Sequence, residues 1–484
     1  MLAAACCITA HAEQAQETAP TVPKIAITTE AGNGTTLEKA DGYVNAHITV
    51  TDTDNTVIDS DVLFKVRGNS TALTFVEKKS FTFKFEKKTS VLGMGKGKKW
   101  ALLANCFDPT LLRNFAAFDF ARELGLPYTS DQRIAELWLD GEYRGCYAVY
   151  EPVQEGKERV DIDIESNEGK KDFLIEYEAT RQEDDVTYLN VSGLRFAMKE
   201  PEEPTTDQLT YVTDTVTAIV NTLKNGSEDE IRAAIDVDSF AKLYLLNEYL
   251  KTADFGYSSV FFFYKDGKLY AGPPWDYDLA LGNLNADLNS ASAKAAAVSD
   301  GIMQADKNLY RYLTDKDWFM AEVKSAYARH FDYIEKIAAD GGLLDSLRAQ
   351  YADVIARNFT VWRVNKWWLN YQRRPLTTYE ENYALLKNWC AERHSWLSDH
   401  YGLEKHSYLL GDADCDGIVT VMDATRIQRR IADFEPEGGF DEYAADTDED
   451  GEITVLDATL IQRYLASYET SHPVDEIVSR ILIP

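Results

Sequence analysis

An α+β fold in two units is what this sequence predicts, on three observations: a two-residue alternation over its first third, helical periodicity over most of the remainder, and a tandem repeat near its end. The alternation is carried by Val62, Phe64 and Val66, then by Phe81, Phe83 and Phe85. Asp140-Gly141 joins the apolar run 136–139 to a Tyr-rich return strand, as a two-residue hairpin turn does. A helix over 109–124 interrupts this β-rich region. From 207 to about 253 the spacing turns helical, and the segment 238–250 opens with the acidic and serine residues that favour a helix start. A hairpin follows, with strands 259–264 and 268–271 about Asp266-Gly267, and helices resume over 315–402.

With 484 residues and 45% hydrophobic content the chain can bury two separate cores. A net charge of −30 argues against nucleic acid or an anionic membrane as partner, because both require a positive surface. Residues 1–20 read as a leader. The first twelve are small and apolar and end in Ala10-His11-Ala12, a signal-peptidase pattern that lacks the usual positive start. A truncated signal peptide and secretion are expected, with a lipidated Cys6 or an ordinary tail as alternatives. No stretch reaches the roughly 18 apolar residues of a membrane span. Cys106, Cys146, Cys390 and Cys415 have no metal or disulfide-framework spacing and are expected to be mostly buried thiols. The expected divisions are a large domain over 21–403, a linker over 404–410, a repeat domain over 411–472 and a tail over 473–484.

The repeat runs from Asp412 and again from Asp446, an offset of 34 residues. Each copy sets aspartates at loop positions 1, 3 and 5, glycine at 6 and an acid at 12, the oxygen-rich pattern that calcium requires. The acid at 12 is aspartate, and only the helix after each loop has the expected pattern. These features resemble the dockerin family over about 408–472. The resemblance implies calcium ligands Asp412, Asp414, Asp416 and Asp423, with Asp446, Asp448, Asp450 and Asp457 in the second loop. The carbonyls of Ile418 and Glu452 stand at position 7, and Thr420 and Thr454 at position 9 act through water. It further implies a cohesin module of a scaffoldin as partner. The recognition positions are Val421, Met422, Gln428 and Arg429 in one repeat, and Val455, Leu456, Gln462 and Arg463 in the other. The small domain is then all-α with two calcium loop-helix repeats, and the protein is extracellular and scaffold-attached.

Three segments of the large domain resemble the spore-coat protein H (CotH) kinase family: Val66-Arg67-Gly68-Asn69-Ser70-Thr71; Trp100 to Asn105 with Leu111-Leu112-Arg113-Asn114; and Gly272-Pro273-Pro274-Trp275-Asp276-Tyr277-Asp278, closing in Gly282-Asn283. The resemblance implies an atypical protein-kinase-like fold, β-rich in its N-terminal half and helical in its C-terminal half. It also implies transfer of phosphate from ATP to Ser or Thr with magnesium or manganese.

Phosphoryl transfer needs metal-binding carboxylates, cations on the phosphates and a carboxylate that accepts the hydroxyl proton. The order of Asp254, hairpin and Asp276-x-Asp278 matches a kinase catalytic half, so Asp254 is expected as base and Asp276 and Asp278 as metal ligands. Five residues after the base stands Ser259 where kinases carry Asn, which leaves a second metal site through it in doubt. Arg67, Lys79 and Arg113 are the candidate phosphate cations, with Glu151 orienting Lys79. Lys78 and Lys84 are expected to be solvated. Gly93-Met94-Gly95-Lys96-Gly97 lacks the nucleotide-loop spacing. Trp362, Trp367, Trp368 and Tyr371 suit helix packing or a sugar-stacking face. A non-catalytic adhesion module and a glycan-active component are the rival readings.

Overall fold

In the computed structural model, residues 21–165, 172–183, 186–288, 290–434 and 438–482 are described, so the leader lies outside them. The chain divides into two compact units, Met1–His394 and Ser395–Pro484.

Seven strands of the first unit close into a barrel: β1 (Lys24–Thr29), β2 (Val44–Thr51), β3 (Val57–Arg67), β4 (Ser80–Thr89), β5 (Gly97–Leu103), β6 (Gln132–Leu139) and β7 (Glu142–Tyr150). The order is β1-β2-β3-β4-β5-β7-β6, and parallel pairing of β1 with β6 completes the closure. The alternation dictates the filling. Val62, Phe64, Val66, Phe81, Phe83 and Phe85 all enter one core with Trp100 and Leu102, while the intervening residues face outward. Helix α1 (Arg113–Glu123) begins four residues later than its apolar pattern suggests. The Asp108 carboxylate accepts from Thr110 N–H and Arg113 N–H, holding 108–112 as a turn that caps the helix.

A five-stranded sheet follows, β12-β11-β8-β10-β9, from β8 (Phe173–Tyr177), β9 (Tyr188–Val191), β10 (Leu194–Glu200), β11 (Val260–Lys265) and β12 (Lys268–Ala271). The remaining helices are α2 (Thr206–Asn225), α3 (Glu228–Ala234) and α4 (Val237–Leu250), which pack on this sheet, then α5 (Ala291–Ala297), α6 (Asp317–Arg329), α7 (Phe331–Ala338), α8 (Leu343–Gln350), α9 (Ala352–Val361), which packs on β7 of the barrel, and α10 (Tyr379–Tyr401). Twelve of the fourteen residues of α4 are buried, as expected of a helix that is apolar almost all round. Its Glu248 meets Arg393 of α10 at 2.8 Å with both side chains fully buried, and the same carboxylate accepts Met303 N–H and Gln304 N–H. The helical expectation over 315–402 fails between 362 and 378, a segment containing Pro375. There Trp362 and Trp367 pack with Val76, Phe107 and Leu369, whereas Trp368 and Tyr371 are exposed.

The second unit contains β13 (Glu404–Leu409), α11 (Val421–Ile431), α12 (Glu442–Ala445), α13 (Val455–Leu465) and β14 (Ile477–Leu482). Ala424, Ile427, Ala458 and Ile461 form the seam between α11 and α13. Two expectations are corrected here. The stretch 404–410, expected as a linker, contains β13, and the stretch 473–484, expected as a tail, supplies its antiparallel partner β14, a pair that flanks the all-helical 411–472. Both segments are short and neither alternates polar with apolar residues, so neither reads as a strand until its distant partner is known. Of the cysteines, Cys146 and Cys390 are buried and Cys106 half-buried, but Cys415 is exposed in a loop.

Candidate functional site

Arg67 ends β3, and Gly68 turns the chain sharply behind it at φ 88°. A Cβ on Gly68 would lie 2.4 Å from Thr71 Oγ1, and that hydroxyl donates to the Arg67 carbonyl, so the Arg-Gly-Asn-Ser-Thr sequence is a tight turn that aims Arg67. Its guanidinium lies 5.7 Å from the Trp275 ring centroid and beside Asp276.

Asp254 lies in a single helical turn, Ala253–Gly256, after α4. Two backbone bonds stitch this region to the loop after β12: Ala253 N–H to Leu279 O at 3.1 Å and Leu281 N–H to Leu250 O at 2.8 Å. From the other side, Asn114 Oδ1 accepts Tyr277 N–H at 2.9 Å and Asn283 Nδ2 donates to Asp278 O at 2.7 Å. Tyr277, between the two aspartates, is fully buried against Phe118. Asp254, Asp276 and Asp278 therefore converge, each half-buried.

Their electrostatics follow from that crowding. Burial first, and the Asp276 charge second, push Asp254 up to about 7. Burial also raises Asp276, offset by Arg67 and Arg181, and raises Asp278 well above the carboxylate range with help from Asp276 and Asp254. The three carboxylates oppose one another's ionisation, although among the described residues only the aspartate triads of the second unit bring three carboxylate oxygens within 4.8 Å of one another.

Ser259 joins the group: its Oγ lies 3.4 Å from Asp276 Oδ2 and its N–H donates to Glu176 Oε1 at 3.1 Å. Both Ser259 and Asp276 adopt left-handed backbone, φ 63° and 69°, which side chains seldom do. Glu176 on β8 pairs with Lys199 of β10 at 3.2 Å, and Arg181 pairs with Glu178 at 3.5 Å. Sequence reasoning missed Glu176, Arg181 and Lys199. The available signal was Glu176 itself, an acid within the otherwise apolar strand Phe-Leu-Ile-Glu-Tyr.

The other cation assignments need correction. Lys79 Nζ contacts Glu38 at 3.2 Å and the Ala72 and Leu73 carbonyls, not Glu151. It precedes β4, so the strand's alternation does not direct it. Glu151 instead accepts Asp131 N–H at 3.0 Å. Arg113 is buried and donates to Asp108, to Ala280 O and to Leu281 O, bracing the Asp276–Asp278 loop from behind. Lys78 is not solvated: its buried ammonium donates to the Ala104 and Cys146 carbonyls and to Asn358 Oδ1.

In the second unit, carboxylate oxygens of Asp412, Asp414 and Asp416 lie within 4.8 Å of one another, as do those of Asp446, Asp448 and Asp450. Gly417 and Gly451, at φ 85° and 89°, make the sharp turn that each loop needs, and their N–H groups donate back to Asp412 and Asp446. Asp414 Oδ1 and Asp446 Oδ1 are buried with no hydrogen-bond partner, so each triad presents an oxygen that a calcium ion would satisfy. Asp423 and Asp457 lie beside the triads, each accepting the N–H of a triad aspartate, Asp414 and Asp448 respectively. Fully buried, they accept N–H bonds from Asp414 and Thr420, and from Thr447 and Thr454, closing capping boxes at the starts of α11 and α13. All eight expected recognition positions are exposed, including Val421, Met422, Val455 and Leu456 at about 60%.

With the turn at Arg67, the Asn114 clamp and the carboxylate loop described, the first unit has a class. The CotH kinase protein family model matches residues 64–397, and the chain belongs to that family. The Dockerin type I domain model matches residues 410–466, which makes this a dockerin-bearing CotH protein. Dockerin domains bind calcium and cohesins, and point to an extracellular, cellulosome-attached protein. Comparison with curated proteins gives no match. No helix among the described residues is long and apolar enough to cross a membrane.

Proposed function

We propose that the first unit transfers the γ-phosphoryl group of ATP to Ser or Thr hydroxyls of extracellular proteins, while the second docks it through calcium-dependent cohesin binding. The observation that carries this reading is the convergence of Asp254, Asp276 and Asp278 with Arg67 and Arg181 beside them. Asp254 accepts the acceptor's proton, standing beside Asp276 and Asp278 in the turn after α4. Asp276 and Asp278 would hold magnesium, which when bound supplies charge neutralisation for the triphosphate. Arg67 and Arg181 add positive charge at the same centre.

Purified protein incubated with labelled ATP, with magnesium or manganese and without, tests it. Replacing both Asp276 and Asp278 by Asn should abolish metal-dependent nucleotide binding and cut transfer at least ~100-fold, the equivalent of ~3 kcal/mol. Asp254→Asn should retain nucleotide binding and lose transfer.

A second reading, a kinase-shaped binding module, draws on Lys79 and Arg113 being committed to internal partners. Wild-type protein that binds no nucleotide with either metal would establish it in place of the first.

A further inference from the structure

Between 84 and 99 this strongly acidic chain carries six lysines and a single acid, Glu86. The fold gathers them. Lys84 of β4 stands directly opposite Lys99 of β5, and like charges so placed destabilise a sheet unless something neutralises them. Lys84, Lys88, Lys96, Lys98 and Lys99 line a concavity of about 280 Å³. Lys99 meets Glu202 at 2.5 Å, but among the described residues none of Lys84, Lys88, Lys96 and Lys98 has an ion-pair partner. Many lysines of the first unit that lie elsewhere do, including Lys242, Lys307, Lys366 and Lys387.

The basic surface is continuous with the carboxylate centre. Lys65, two residues before Arg67 on the same outward face of β3, lies near both Arg67 and Lys99, with its ammonium 4.4 Å from the Tyr43 ring centroid. A strip of positive charge therefore runs from Asp276 through Arg67, Lys65 and Lys99 to Lys84 and Lys88. From Thr82, which pairs with Lys65, to Lys88 is roughly 20 Å at ~3.3 Å per strand residue, or about six residues of extended peptide.

We infer that this strip docks an acidic stretch of the polypeptide whose hydroxyl is phosphorylated. The inference rests on the kinase reading and specifies its substrate class: Ser or Thr with Asp or Glu clustered within roughly six residues. A polypeptide fits better than a polyphosphate or nucleic acid. Glu155, Glu200 and Glu202 line the same concavity and would repel a chain charged at every unit, whereas a peptide can set its carboxylates against the lysines alone.

The test uses the full calcium-loaded chain and two fluorescent peptides, one with Ser beside an Asp/Glu run and one with that run changed to Asn/Gln. Anisotropy without nucleotide should show the acidic peptide binding at least tenfold tighter, with the advantage shrinking as salt rises. A variant combining K84E, K88E and K98E, one half-buried and two exposed positions, should lose that advantage with no fall in melting temperature, since K84E sets an acid opposite Lys99. Equal binding of the two peptides, or tighter binding of tripolyphosphate or single-stranded DNA than of the acidic peptide, overturns the proposal. Failure of the kinase reading looks different: the acidic peptide still binds selectively, yet Mg-ATP transfers nothing to it.

Discussion

The two units solve the same problem, gathering carboxylates that repel one another, in opposite ways. In the second unit each triad comes from five consecutive residues, and the glycine turn that shapes the loop sits within it. In the first, Asp254 is more than twenty residues from Asp276, and the partners that hold them, Asn114 and Asn283, come from different parts of the chain. A locally built site needs its ion to exist. A site built at long range is held by the fold, with or without one.

That contrast is broken most severely by removing calcium. Each site saturated at a hundredfold excess over its Kd adds about 2.7 kcal/mol, so two sites contribute about 5 kcal/mol to the second unit. Chelation should remove a low-temperature calorimetric transition and leave the transition of the first unit where it was. A second-unit transition that ignores calcium would mean the triads are solvated turns.

The converse lies in the first unit, where Glu248 and Arg393 bind α4 to α10 out of contact with water. Arg393→Met leaves the carboxylate buried without its counter-charge, a change that costs about 3–5 kcal/mol. Urea titration should show the loss in the first unit's transition alone, at any calcium concentration. A loss under 1 kcal/mol would show that the Met303 and Gln304 N–H groups suffice to hold Glu248.

A smaller effect is expected at the clamp itself. Asn114→Ala deletes the acceptor of Tyr277 N–H in a buried setting, which costs about 1–3 kcal/mol. Because Tyr277 lies between the two proposed metal ligands, nucleotide affinity in magnesium should fall along with stability. Stability lost with affinity intact would mean that Asp276 and Asp278 are held without this bond.

The same contrast explains what the sequence made legible. The barrel alternation, the hairpin at Asp266-Gly267 and the two aspartate triads are short-range patterns, readable because a period or a spacing is the structure. Asp254, Asp276 and Asp278 could be nominated from their order, but their convergence depends on the Ala253–Leu279 and Leu281–Leu250 bonds, which no local rule predicts. Glu176 reaches the centre through the pairing of β8 with β11 and Arg181 from the segment that follows β8, while the expectation for Lys79 extends β4 one residue too far toward its N-terminus. The β13–β14 pair was lost for the related reason that its strands are separated by the whole calcium module.

The smallest expected effect serves as a control on all of these. Asp345 of α8 accepts from Lys387 and Tyr383 of α10 and from Gly341 N–H, and these contacts, Lys387 first, lower its pKa to about 2. Its folded pKa lies below the ordinary aspartate value of 3.8, so the stabilisation is present above pH ~4 and is lost as pH falls from there through 2. The network lies at the surface, where solvent screening holds such pairs to ~1 kcal/mol or less. Asp345→Asn should therefore lower first-unit stability by that small amount at pH 7 and by steadily less as pH falls from ~4 through 2, the two urea-derived curves converging there. A loss at pH 7 approaching that of Arg393→Met would mean that surface contacts between α8 and α10 hold the helical half as firmly as the buried pair, and the contrast drawn from burial would fail.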